Sequence, residues 1–257
     1  IEHPRRAGWD LAEPADTKPD ATAAAIVRTI QTNNVNHSPA MVLAHTGSMV
    51  PGRPSLGAWL MYGLGNESKD LPSFISMMSG PRGPRNGPDI WGSGFLPSNH
   101  QGVGLRPGAN PVLYLQNPPT VDGAQRRELL DDLATLNEER ARELGDPETI
   151  TRIKAYEMAF RMQSSVPDLT DMRQESAATL EAYGVKEPGD GSFASNCLLA
   201  RRLAERDVRF VQLFHMGWDH HGGLPKAIQG QCNDTDQATA ALVRLNPLRK
   251  LFAREAL

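Results

Sequence analysis

The chain has 257 residues, a net charge of −3, only 6% aromatic residues, and 23 glycines and 20 prolines. That length gives one large domain or two small ones. Its basic residues are dispersed, which excludes the footprint of a nucleic-acid binder, and no run of 18 apolar residues offers a transmembrane span.

Residues 1–22 are polar and Pro-rich and read as an irregular start. Ala23–Gln31 fits a strand or a short helix equally well. Asn33–Pro39 is a turn, and Ala40–Thr46 resumes an apolar helical pattern. Ser38 is its expected N-cap, with Pro39 just inside. Arg53–Leu64 suggests a second helix closed near Gly63 or Gly65. Leu71–Met78 is apolar and strand-like. Gly80–Pro97 holds too many Gly and Pro residues to continue any regular element, so 80–110 is expected to be a long loop anchored by Trp91 and Phe95. Pro111–Leu115 is a candidate short strand.

From Asp122 to Tyr183 the pattern turns helical. Leu129, Leu130, Leu133 and Leu136 mark one segment, Ile150, Ile153, Met158 and Met162 a second, and Leu169, Met172, Leu180 and Tyr183 a third that ends at Gly184. The run Glu138–Glu143 is a solvated face with i,i+4 pairs. Cys197–Glu205 reads as a helix and Val208–Phe214 as a buried strand. Asp234, Thr235 and Asp236 then cap a last helix, Gln237–Leu245. The whole is one α/β domain over 23–245 with a helical insertion at 122–183 and an atypical tail at 246–257. Cys197 and Cys232 form no C-x-x-C, which excludes a zinc knuckle or thioredoxin motif. Cys197 reads as core and Cys232 as part of a polar loop, and a disulfide between them stays open.

The segment after the last strand, M-G-W-D-H-H-G-G, carries the chemistry. In open α/β sheets ligands bind beyond the carboxyl ends of strands. Asp219 and His221 are two residues apart in a glycine-punctuated turn, with His220 between them. Carboxylate oxygen and imidazole nitrogen suit zinc or a similar ion. Calcium or magnesium would want mostly oxygen donors. The competing reading is a polar loop in which Asp219 merely caps a turn. A second candidate is N-H-S-P-A, where His37 or Ser38 at a helix start could meet an anion, against simple capping by Ser38. His45 reads as structural, and Arg53 and Ser55 are weaker anion contacts.

On N-H-S-P-A, H-T-G, R-P-S-L-G-A-W-L-M-Y-G-L-G, L-P-S-F, W-G-S-G-F-L-P, A-Y-E-M-A-F-R-M-Q, C-L-L-A-R-R-L-A-E-R-D-V-R-F-V-Q and W-D-H-H-G-G, the chain resembles the sulfatase-like, often exported bacterial proteins of the alkaline phosphatase superfamily. The resemblance implies an alkaline-phosphatase-like three-layer α/β/α sheet, incomplete because the chain resembles a family member truncated at both ends. It also implies metal-dependent hydrolysis of a sulfate or phosphate ester, a small anionic substrate, and a periplasmic or extracellular location. Catalytic residues would be His37 and Ser38, with a divalent ion, zinc first, on Asp219, His221 and His220. H-S-P-A-M has the spacing of the sulfatase C-x-P-S-R segment, which puts His37 at the nucleophile position. Met41 replaces the arginine and neither Cys nor Ser fills the nucleophile position, so formylglycine chemistry is excluded. His37 or a metal-bound water would act instead. The competing expectation is a non-catalytic fragment or binding module that retains part of the fold. Oligomeric state is not legible.

Overall fold

In the computed structural model of the chain, residues 29–245 are described apart from 81, 82, 85, 109 and 114. The expectations for 1–22, for 246–257 and for the first part of Ala23–Gln31 lie outside the described residues. Three parallel strands form one sheet: β1 (Phe74–Ser79), β2 (Val103–Leu105) and β3 (Phe210–His215), in the order β2-β1-β3. Around them run seven α-helices: α1 (His37–Thr46), α2 (Leu56–Leu64), α3 (Gly123–Leu144), α4 (Pro147–Thr170), α5 (Ala177–Tyr183), α6 (Phe193–Ala204) and α7 (Leu224–Leu245). The mixed α/β class read from the sequence is the one the structure has.

Alternation along β1 and β3 sends successive side chains to opposite faces. Ile75 and Met77, with Val211 and Leu213, join the core that α6 closes through Cys197, Leu198 and Leu203. On the other face Phe74 and Phe210 stack edge to face with ring centroids 5.1 Å apart. There α2 comes close, and a Cβ on Gly57 would overlap the Phe74 ring. The sheet is therefore covered by helices on both faces, as buried parallel sheets are.

Most helix ends obey local chemistry. Ser55 caps α2 by accepting from the Ala58 N–H, and Gly65 follows its last turn. Asp122 and Gln125 form a reciprocal capping box on α3. Gly145 and Gly184 close α3 and α5 in the left-handed conformation. The sequence pattern misplaced several features. Ser38 is not the cap of α1: Asn36 is, accepting from the Ser38 N–H, and Pro39 lies inside the first turn. Residues 111–113 are a bend and turn rather than a strand, and the remaining strand is Val103–Leu105, inside the stretch read as loop. Only three residues long, β2 is too short for an alternation signal. Helix α7 begins at Leu224, so Asp234–Asp236 lie within it rather than at its start, and Cys232 is helical. Both cysteines are free. Trp91 does anchor the loop, packing on Phe214 at 5.7 Å, whereas Phe95 stays exposed and Ile90 is the buried residue there.

The helical insertion is fastened by charge as well as by apolar contact. Glu175 accepts from Arg201 at 2.6 Å and from Arg202 at 2.7 Å, and all three side chains are nearly buried. Arg202 also gives its remaining N–H groups to the carbonyls of Leu169 and Asp168. Burial pushes the Glu175 carboxyl up, but the two guanidinium hydrogen bonds outweigh it and the net shift is downward.

Two outcomes follow for stability. Gly57→Ala forces a methyl into Phe74 and Phe210 and is expected to cost about 1–3 kcal/mol in urea unfolding, the range for overpacking. Glu175→Ala removes the carboxylate shared by two nearly buried guanidinium groups, which keep Glu205 and the Leu169 and Asp168 carbonyls, and is expected to cost about 3 kcal/mol, the low end for breaking a buried pair. Because the folded-state pKa of Glu175 is lowered, its contribution is fully present above the ordinary glutamate value of about 4.3. It is lost as pH falls through the lower folded-state value. Urea midpoints of wild type and variant should therefore converge in acid.

Candidate metal centre

Strand β3 ends at His215, and the chain turns at once. Gly217 has φ 102, and a side chain there would collide with the Gln231 amide of α7. Only glycine fits both demands. The turn carries Trp218 and Asp219 toward the start of α1. Gly223, at φ 63, then admits the chain into α7.

Asp219 meets two imidazoles from different parts of the chain. Its Oδ2 lies 3.0 Å from His37 Nε2 and 3.0 Å from His221 Nε2. One donor atom from each of the three residues lies within 4.8 Å of the others. A carboxylate only accepts, so each imidazole presents an N–H to it. The His221 hydrogen bond, opposed by slight desolvation and assisted by His37, holds the Asp219 carboxyl below its ordinary range. The three side chains are 54%, 52% and 84% exposed in the order His37, Asp219, His221.

The donor set fits zinc. Three protein ligands of N and O type with the remaining position open is the pattern of catalytic zinc sites. In a tetrahedral shell with bonds of about 2.0–2.1 Å, neighbouring donors stand about 3.3 Å apart. The present 3.0 Å contacts are close to that spacing. A single carboxylate is too little oxygen for calcium or magnesium. Nε2 of either imidazole can bind a cation only once its proton has left or moved to Nδ1.

The other residues singled out by sequence are not among these three donors. His220 Nε2 is buried without a hydrogen-bond partner among the described residues, away from the three donors. Ser38 Oγ accepts from Asn86 Nδ2 at 2.8 Å. The first turn of α1 has little to offer an anion. The Ser38 N–H is taken by Asn36 Oδ1, Pro39 has none, and the Ala40 N–H bonds the Asn36 carbonyl at 3.1 Å. Ser55 is occupied as the cap of α2. His45 Nδ1 lies 2.8 Å from Gln212 Nε2, its ring meets Phe214, and burial holds its pKa down.

Sequence reading missed His215, the last residue of β3. Its Nδ1 lies 2.7 Å from Ser79 Oγ at the matching end of β1, and its ring packs on Phe193 and Trp218. Its Nε2 is buried and unpartnered among the described residues. The apolar run had been ended at Phe214. Carrying the alternation one residue further puts His215 on the face of Leu213, toward α6, and that was the available signal.

A family described as "Protein of unknown function (DUF1501)" matches residues 13–245. The chain belongs to the DUF1501 family. This corrects the likeness to sulfatase-like proteins of the alkaline phosphatase superfamily: the family that spans these residues is DUF1501, and nothing joins the chain to sulfatases. The motifs behind that likeness are short, and the segment aligned with the sulfatase nucleophile lacks both its cysteine and its arginine. No curated protein and no solved structure matches this DUF1501 chain.

In metal-free DUF1501 protein the Asp219 carboxyl should titrate below the ordinary aspartate range when followed by carboxyl NMR. His221→Ala should move it upward, with His37 left to hold it partly down. An unchanged titration would show that the His221 contact does not persist in solution.

Proposed function

We propose that this chain is a metal-dependent hydrolase domain acting on a small anionic ester, sulfate or phosphate. His37, Asp219 and His221 would hold a divalent ion, zinc by preference. The convergence of these three side chains from α1 and the post-β3 turn, at the carboxyl end of a parallel sheet, is the observation that supports it. Zinc, when bound, would supply a water whose pKa falls to about 7.

The protein's own residues take simple parts in this reading. His37 acts as a ligand rather than as a covalent nucleophile, because its Nε2 is directed at Asp219. Asn36 fixes the backbone that carries His37 by capping α1. Ser38, held by Asn86, stands beside the site as a polar contact for the ester. The helices on both faces of the sheet are consistent with a three-layer α/β/α arrangement.

One observation favours a second reading, a non-catalytic binding module. Strand β3 is an edge strand in the described sheet, and each of its six residues is only partly buried. Open edges invite pairing with another chain.

Zinc titration by calorimetry separates the two. Wild type is expected to bind one zinc ion per chain. Asp219→Ala combined with His221→Ala should weaken binding by more than the roughly 10–100-fold that a mere outer-shell change costs. Hydrolysis of nitrophenyl sulfate or phosphate should depend on zinc and vanish in the same variant. Wild-type protein that takes up no divalent ion would sink the hydrolase reading and leave the binding module.

A further inference from the structure

A cavity of about 610 Å³ lies at the opposite end of the sheet from His37, Asp219 and His221. Ser73 and Phe74 at the start of β1 and Val103 at the start of β2 line it, whereas the trio follows the last residue of β3. At about 3.3 Å per residue the length of β1 separates the two places by roughly 16 Å. Its volume falls within the range of about 300–1,000 Å³ typical of small-molecule pockets.

The walls are apolar. Met61 of α2 and Met158 and Met162 of α4 face the cavity together with Leu115 and Val112. Unbranched methionine adapts its shape to an irregular apolar guest. The charged part of the lining is of one sign in effect. Arg126, Lys154 and Arg161 contribute cations. Glu157, the acid among the lining residues, is already held by both guanidinium nitrogens of Arg127, at 3.1 and 2.5 Å. Arg161 rests on the Lys69 carbonyl. Arg126 is different: its Nε is buried and has no hydrogen-bond partner among the described residues. An unpaired guanidinium beside an apolar wall is costly, and an anion in the cavity next to Arg126 would offset its charge.

We propose that this cavity binds an amphipathic anion, an aliphatic chain ending in a carboxylate. The chain lies against the methionine and leucine wall, and the carboxylate accepts from Arg126 with Lys154 nearby. The site is independent of the metal trio and does not rest on the hydrolase reading.

Isothermal titration of the full 257-residue chain with octanoate, 1-octanol and octyltrimethylammonium tests it. Octanoate should bind saturably and at least about 10-fold more tightly than either comparator, as a charge-assisted hydrogen bond provides. Arg126→Met should erase that preference while leaving octanol binding unchanged. Val103→Trp, or Met158→Trp should the first variant not fold by circular dichroism, should abolish binding of all three by filling the space. Asp219→Ala should leave octanoate binding as in wild type. Absence of saturable octanoate binding, equal affinity for the three amphiphiles, or an unaltered preference in Arg126→Met would each overturn the proposal.

Discussion

The parallel pairing of β1 with β3 is the constraint on which the rest of the structure depends. The two strands match residue for residue from Phe74 and Phe210 to Ser79 and His215, although Ser79 and His215 are 136 positions apart in the chain. A parallel pair cannot be closed by a tight turn and needs a crossover. Here the crossover contains β2, the long helices α3 and α4, then α5 and α6. The register decides which side chains share a face. A slip of β3 by one residue against β1 would move Val211 and Leu213 out of the core and bring Gln212 in. It also fixes where β3 ends, and hence where the turn carrying Asp219 and His221 departs.

Within that frame, the histidines differ by what already occupies their nitrogens. His45 and His215 are drawn into packing, one against Gln212 and Phe214, the other against Ser79, Phe193 and Trp218. Exchange with solvent or a ligand would require those contacts to break. His37 and His221 are exposed and bonded to one carboxylate oxygen. Neither of these contacts is buried. Exposure thus marks the trio as exchangeable, and the same exposure leaves the ring orientations of His37 and His221 without buried support.

The helices were legible where a local signal ends them. Asp122 before α3 and Gly184 after α5 each act within one turn, so the sequence alone reveals them, whereas Ser55, read as a weak anion contact, is the cap of α2. The start of α7 was not legible, because Asp234–Asp236 imitate a cap although the helix begins at Leu224. Asn36 displaced Ser38 as the cap of α1: both are good cap residues two positions apart, and Asn36 caps by accepting from the Ser38 N–H. Asp219 and His221 were visible as a pair two residues apart. The approach of His37 to them depends on the sheet register and is a non-local fact that no window of sequence contains. The family was the least legible of all, since short segments such as H-S-P-A-M match a sulfatase pattern in spacing while lacking its reactive residues.

The two ends of β1 have opposite chemistry, and the strand itself explains why they stay separate. Beyond the carboxyl ends lies an exposed, polar trio of one carboxylate and two imidazoles. At the amino ends lies an apolar hollow rimmed by cations. Between them Phe74, Ile75, Ser76 and Met77 are at most 1% exposed and fully packed. Coupling between distant sites needs an element with two arrangements that both sites bias. A close-packed central strand has no room for a second arrangement, because interiors of this density resist small displacements. Events at either end are therefore insulated by the same burial that stabilises the sheet.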